Sequence, residues 1–137
     1  ESMETLRHIA AAVTDSRGLI MNVFEGPVEH VALITSKKGS VRGNHYHKED
    51  RQYIYLMSGA FESHSIDVRD PATRQVLNVH PGDLVHTPPF IAHAQKFTED
   101  SAFLALSTRQ RESGKYEDDT VAFPVIAGYL NPTLKTS

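Results

Sequence analysis

Val41-Arg42-Gly43-Asn44-His45-Tyr46-His47 runs through the polar turn Lys48-Glu49-Asp50-Arg51 into Gln52-Tyr53-Ile54-Tyr55-Leu56-Met57, which stops at Ser58-Gly59. Both segments alternate in the period-2 manner of half-buried strands, and both are bounded by turn residues. The alternation puts His45 and His47 on one face of the first strand. In the second, Gln52, Ile54 and Leu56 share a face, with the two apolar side chains predicted to form the floor of an interior.

The same rhythm extends in both directions. Asp15-Ser16-Arg17-Gly18 precedes Leu19–Phe24, and Glu25-Gly26-Pro27 precedes Val28–Thr35. The turn at 36–40 leads into the histidine strand. Downstream, Phe61–Val68, Arg74–Val79, Leu84–Thr87, Ile91–Phe97 and Ala102–Ser107 are separated by Asp70-Pro71-Ala72, Pro81-Gly82-Asp83 and Pro88-Pro89. Many short strands at regular spacing indicate an all-β sandwich or barrel. Glu4–Val13 reads as a short helix, or Leu6–Val13 as a strand. Val121–Ile126 reads as an edge strand or a partner-packing segment.

The 137 residues, 39% of them hydrophobic, suit one domain with a real core. We take residues 1–137 as that domain, with the barrel at about 15–110 and a C-terminal extension at 111–137. Fourteen basic against 17 acidic residues give a formal charge of −3 with no basic cluster, which argues against a nucleic-acid partner. There are no cysteines, so thiolate ligands and disulfides are excluded. No apolar run approaches the roughly 18 residues of a membrane span. Glu1-Ser2-Met3-Glu4 lacks the pattern of a signal peptide, so the expectation is a cytoplasmic protein without a membrane partner.

The chain has eight histidines. His93 follows the Pro88-Pro89 turn on a separate strand. If that strand neighbours the one carrying His45 and His47, three imidazoles converge. Such a set suits zinc, iron, nickel, copper or manganese and leaves positions open for water or substrate. A His-x-His pair on a strand is also common as a surface or structural feature. Glu49 continues the i, i+2 pattern, but its turn neighbours favour a solvated carboxylate. His64 and His86 are cavity candidates of undetermined parity, whereas His8, His30 and His80 read as surface or packing residues. Gln95 shares the parity of His93.

These residues resemble the cupin family, whose first motif runs G-x5-H-x-H-x(3,4)-E-x6-G. Gly39, His45, His47, Gln52 and Gly59 keep its intervals, and Gly82, Pro88 and His93 keep those of the second motif, G-x5-P-x-G-x2-H-x3-N. The resemblance covers about residues 15–110 and implies an antiparallel jelly-roll barrel, a double-stranded β-helix. Three positions depart from it: Gln52 stands for the glutamate ligand, Phe90 for a glycine and Phe97 for the asparagine. The metal set implied is His45, His47 and His93, with Gln52 a weak fourth ligand.

Arg42-Gly43-Asn44-His45-Tyr46-His47 is further similar to cupins of sugar-nucleotide and capsular-polysaccharide biosynthesis, among them 3,4-ketoisomerases. Asp15–Gly18, Pro88-Pro89 and the looser Tyr116–Phe123 pattern echo the same group. The resemblance implies an isomerase or epimerase of a nucleotide sugar, with His45 and His47 moving protons. Arg42 would bind a diphosphate, and Tyr46, Tyr53 or Tyr55 would stack on the substrate or donate a proton. Alternation places Arg42 opposite His45 unless Gly43 introduces a bulge. A three-histidine metal oxygenase and a non-catalytic small-molecule-binding cupin are the alternatives. A homodimer is the expected assembly.

Overall fold

The structure, a computed structural model, describes residues 3–110 and 115–127. Its strands are β1 (Thr5–His8), β2 (Val13–Asp15), β3 (Gly18–Ile20), β4 (His30–Ser36), β5 (Val41–His47), β6 (Gln52–Ser58) and β7 (Phe61–Asp67). β8 (Asp70–Val79), β9 (Asp83–Thr87), β10 (Ile91–Phe97) and β11 (Ser101–Ser107) follow. A short helix α1 (Lys115–Asp119) then leads into β12 (Thr120–Ala122).

Two five-stranded sheets face each other, one in the order β1-β9-β6-β11-β4 and the other β12-β5-β10-β7-β8; β2 and β3 form a separate ribbon. Every pairing is antiparallel. The architecture is the antiparallel jelly-roll barrel. No helix among the described residues is long and apolar enough to cross a membrane.

Alternation along the strands sorts the interior into two halves. Ile54 and Leu56 of β6 point in, as expected, and meet Phe61, Val79, Val85, Phe97 and Phe103. Phe97, in the place of the motif's asparagine, stacks on Phe103 with ring centroids 5.6 Å apart and an interplanar angle of 13°. The other half is polar: His45, His47, Gln52, Ser63, Ser65, Thr87, His93 and Gln95 are all buried.

Residues 4–10 correct the helical expectation. β1 is a strand paired with β9, Leu6 opposite Val85 and His8 opposite Asp83. Adding a strand to β9 satisfies its open edge and packs Leu6 on the apolar core, which outweighs the weak helical pattern. Other boundaries shift by a few residues. β3 stops at Ile20, and β8 begins at Asp70, so the expected turn at 70–72 lies inside a strand. Pro71 is accommodated because β8 is a sheet edge, where a missing N–H breaks no ladder.

At the other end β12 pairs with β5, Val121 opposite Tyr46. Phe123, Val125 and Ile126 then cover the outward alanines Ala92 and Ala94 and Ile66. Small side chains on β10 leave room for that cover, so the segment packs on the barrel itself. The barrel's outer wall is therefore partly built from residues beyond 110.

Leu56 is fully buried at the centre of the apolar half. Leu56→Ala should lower unfolding free energy by about 2–5 kcal/mol, read as a shift in the urea midpoint with unchanged slope.

Candidate active site

The site begins with a backbone irregularity. β5 and β10 pair with His93 opposite His45 and Ala94 opposite Gly43, a register shift that leaves Asn44 as the extra residue of a bulge. Gly43 and Asn44 both have left-handed backbones, with φ of 88° and 56°. Asn44 anchors the bulge outside the barrel. Its Oδ1 accepts the Ile126 N–H at 2.9 Å, and its carbonyl accepts the Phe123 N–H at 2.8 Å.

Beyond the bulge His45 and His47 face inward, toward His93 on the neighbouring strand. Their exposures are 6%, 3% and 2% respectively. The Nε2 atoms of His45 and His93 lie 3.2 Å apart. The His45 ring meets the other two edge-on, with centroids 4.9 Å from His47 and 5.0 Å from His93. One nitrogen from each of the three lies within 4.8 Å of the others.

Two of these rings have a carboxylate behind Nδ1. His47 Nδ1 is 3.2 Å from Thr120 Oγ1 and 3.7 Å from Asp119 Oδ2, both partners being supplied by the chain as it passes from α1 into β12. Asp119 is itself held by backbone N–H donors from Lys48, Glu49 and Asp50 at 3.1, 2.8 and 2.9 Å. His93 Nδ1 is 3.3 Å from Glu4 Oε2, 2.9 Å from the Gln95 amide and 3.4 Å from Thr87 Oγ1. Glu4 accepts the hydroxyls of Ser63 at 2.6 Å and Thr87 at 2.5 Å.

The other expected site residues, Gln52 apart, sit elsewhere. The bulge brings Arg42 opposite Gln95, yet its guanidinium runs to the far end of the barrel. There it donates to Ser36 Oγ at 2.6 Å and the Thr35 carbonyl at 2.9 Å, lining a cavity of about 640 Å3 with Lys37 and Asp100. Tyr46 has outward parity and packs between Phe90 and Phe123. Tyr53 stacks on His86 outside the first sheet, with centroids 4.6 Å apart, which also removes His86 from the interior. Gln52 is buried opposite Thr87. Glu49 is solvated and pairs with Arg109 at 3.0 Å. His64 has outward parity, opposite Ala94, and bonds Glu62.

Glu4, Asp119 and Thr120 were not among the expected site residues. For Glu4 the signal was present, because a strand through Leu6 puts Glu4 on the same inward face. For Asp119 the signal was the loose Tyr116–Phe123 pattern, whose acidic position it fills; what it touches depends on the chain returning from β11 to β5.

Three imidazoles, each with one nitrogen within 4.8 Å of the others, fit a metal. Two nitrogens on a tetrahedral zinc at 2.0–2.1 Å would lie about 3.3 Å apart, against 3.2 Å for His45 and His93. Hydrogen-bonded Nδ1 atoms behind metal-facing Nε2 atoms are the usual outer layer of such sites. The same arrangement suits neutral imidazoles exchanging protons.

The cupin domain profile matches residues 32–108, more than half of the chain. This chain belongs to the cupin family. The matched residues include both histidine-bearing strands and the Pro88–Phe90 turn. No curated protein sequence matches it.

Similar solved structures include the 3,4-ketoisomerase QdtA from Thermoanaerobacterium thermosaccharolyticum, a double mutant in complex with TDP. It is 23% identical with a TM-score of 0.70, over 86% of each chain. A dTDP-4-dehydrorhamnose 3,5-epimerase from Sulfolobus tokodaii is 22% identical with a TM-score of 0.68, over 87% of this chain and 76% of that one. The 3'-monoepimerase ChmJ from Streptomyces bikiniensis, in complex with dTDP-quinovose, is 20% identical with a TM-score of 0.69. It covers 80% of this cupin and 67% of its own chain. At these identities the likeness is one of fold.

A methyl group at position 43 would lie 2.7 Å from the His93 carbonyl, on a backbone at φ 88°. Gly43→Ala should therefore cost about 1–3 kcal/mol in backbone strain alone. Thermal unfolding would show it as a lowered midpoint, and the amide resonances of His45 and His93 should shift more than those of the apolar half.

Proposed function

We propose that this cupin is an isomerase or epimerase of a nucleotide-linked keto sugar, moving protons with its buried imidazoles. The observation that carries this reading is the His45–His93 contact, Nε2 to Nε2 at 3.2 Å, with His47 beside it and carboxylates behind His47 and His93. Two neutral imidazoles in that contact share one proton, so one nitrogen is a base and the other an acid. Removing a proton from the carbon beside a carbonyl and protonating the carbonyl oxygen gives an enediol. Reversing the two steps on the adjacent pair of atoms moves the keto group, with no net redox change. Returning the proton to the other face of the first carbon epimerises it.

Ligands named for the similar structures support the substrate class: TDP, TDP-4-keto-6-deoxyglucose and dTDP-quinovose. In this chain the cations that would meet a diphosphate are Lys48 and Arg109, the latter by leaving its pairing with Glu49. They line a cavity of about 470 Å3 together with Phe90, Glu49, Asp118 and Asp119. Arg42 is walled off from it by its bonds to Ser36 and Thr35.

A second reading is favoured by the approach of three ligand nitrogens to within 4.8 Å. In it His45, His47 and His93 hold a divalent metal, which would polarise a bound oxygen. Gln52 would at most hydrogen-bond to a metal-bound water.

Incubation with a TDP-4-keto sugar in deuterium oxide tests the first reading. Solvent deuterium should appear at the carbon beside the carbonyl, and His45→Asn should slow this by about 10²-fold or more. Absence of exchange and of turnover in the wild type would sink it. Metal content by plasma mass spectrometry tests the second: near-stoichiometric metal that disappears in His93→Ala is the expected result. Turnover undiminished by complete metal removal would leave the imidazoles alone as the catalysts.

A further inference from the structure

Glu4 touches no reacting atom in either reading of the reaction, standing only behind His93, yet its side chain is 0% exposed. Among the described residues no lysine or arginine pairs with it. What surrounds it is Ser63 Oγ at 2.6 Å, Thr87 Oγ1 at 2.5 Å and His93 Nδ1 at 3.3 Å. Its backbone is fixed as well, since Gln75 Nε2 donates to the Glu4 carbonyl at 3.0 Å. A side chain that merely ended the first strand would turn to solvent, because burying a carboxylate costs several kcal/mol unless donors meet it.

Two hydroxyl donors leave lone pairs unmet, and among the described residues the remaining neighbour able to donate is His93. A neutral imidazole has one N–H, so the choice at Nδ1 decides what Nε2 does. If Nδ1 carries the proton it donates to Glu4, and Nε2 is bare. If Nδ1 is bare it accepts from the Gln95 amide 2.9 Å away, and Nε2–H faces His45. In that second state the Glu4 oxygen confronts a nitrogen lone pair at 3.3 Å with nothing between them.

We propose that Glu4 is a positioning residue that fixes His93 in the Nδ1–H tautomer and thereby keeps His93 Nε2 bare. The charge-assisted bond to the carboxylate outweighs the neutral bond from Gln95. The Gln95 amide turns half a revolution and presents its oxygen to the same N–H. His45 Nε2, 3.2 Å from the bare nitrogen, then carries the shared hydrogen and donates it to His93. Glu4 so supplies, from the N-terminal strand and from behind a histidine, a carboxylate for a site whose motif glutamate is Gln52. The assignment holds for the metal-free, substrate-free protein and does not depend on which reaction the site performs.

Long-range ¹H–¹⁵N correlation spectra of the histidine rings, recorded at pH 8 on metal-free protein, read the tautomer directly. The wild type should show His93 protonated at Nδ1 and bare at Nε2, with a preference of about tenfold or more from a bond to a charged group. Glu4→Gln keeps the shape but can donate to Nδ1, so His93 should switch to the Nε2–H form. Gln95→Met should leave the Nδ1–H form in place. If Glu4→Gln does not fold, Glu4→Asp withdraws the carboxylate by one methylene and should reduce the Nδ1–H fraction severalfold. A wild-type His93 that is Nε2–H or doubly protonated overturns the proposal, as does a spectrum unchanged in Glu4→Gln or, in its place, Glu4→Asp. Failure of the isomerase or metal reading would leave these spectra as they are.

Discussion

The pairing of β5 with β10 through the Gly43–Asn44 bulge is the constraint on which the site depends. Without the extra residue the two strands would stay in uniform register, and Arg42 and Gly43 would exchange faces relative to β10. With it, His45 sits opposite His93 while the start of β5 follows a shifted register. The bulge is tight because the Gly43 position lies against the His93 backbone, and it is braced from outside by Asn44 bonding the 123–126 segment. The 123–126 segment thus braces the alignment of His45 and His93 through Asn44.

That alignment buries a concentration of polar groups, which only a barrel with a separate apolar half can sustain. The aromatic and aliphatic cluster around Leu56 occupies one end, and Phe97 in place of the motif's asparagine joins Phe61 and Phe103 there. The polar end is held by local donors in place of long cationic side chains. Asp119 takes three backbone N–H groups, and Glu4 takes two hydroxyls. Such short, directional bonds hold the rings in place and leave their inward nitrogens for chemistry.

Much of this was legible in the sequence. Period-2 alternation located Gln52–Met57 and its inward residues, and His45 with His47 needed only a strand to share a face. That β10 lies beside β5 came from the family resemblance, since alternation within a strand says nothing about its neighbour. Arg42 and Tyr46 were assigned to the site by the family resemblance, but alternation sends Tyr46 outward and local acceptors at Thr35 and Ser36 capture Arg42. Asp119 fills the acidic position of the loose Tyr116–Phe123 pattern but lies more than 70 residues from His47, so their contact follows from tertiary return. Glu4 was hidden by an ambiguous segment: a helix and a strand both fit Leu6–Val13, and only the strand turns Glu4 inward.

Phe90 shows how a departure from a family motif is absorbed. It occupies the glycine position of the second motif and has φ of 66°, the left-handed backbone for which glycine suits the turn. A bulky residue there costs about 1–3 kcal/mol. The turn keeps that geometry because its backbone is held at both sides: Phe90 N–H donates to the His47 carbonyl at 2.8 Å, and its own carbonyl accepts from Val68 at 3.1 Å. The ring adds contacts glycine lacks, lying 6.0 Å from Tyr46 and under the Arg69 guanidinium at 5.3 Å. Asp67 fixes that guanidinium, and Arg69 in turn holds the Asp67 carboxyl below its usual range. The strained residue therefore joins β5, β7 and the His93 turn at the mouth of the polar half, where it also lines the cavity beside Asp119. A glycine would preserve the turn but leave that wall open, so the strain is retained by what the ring closes.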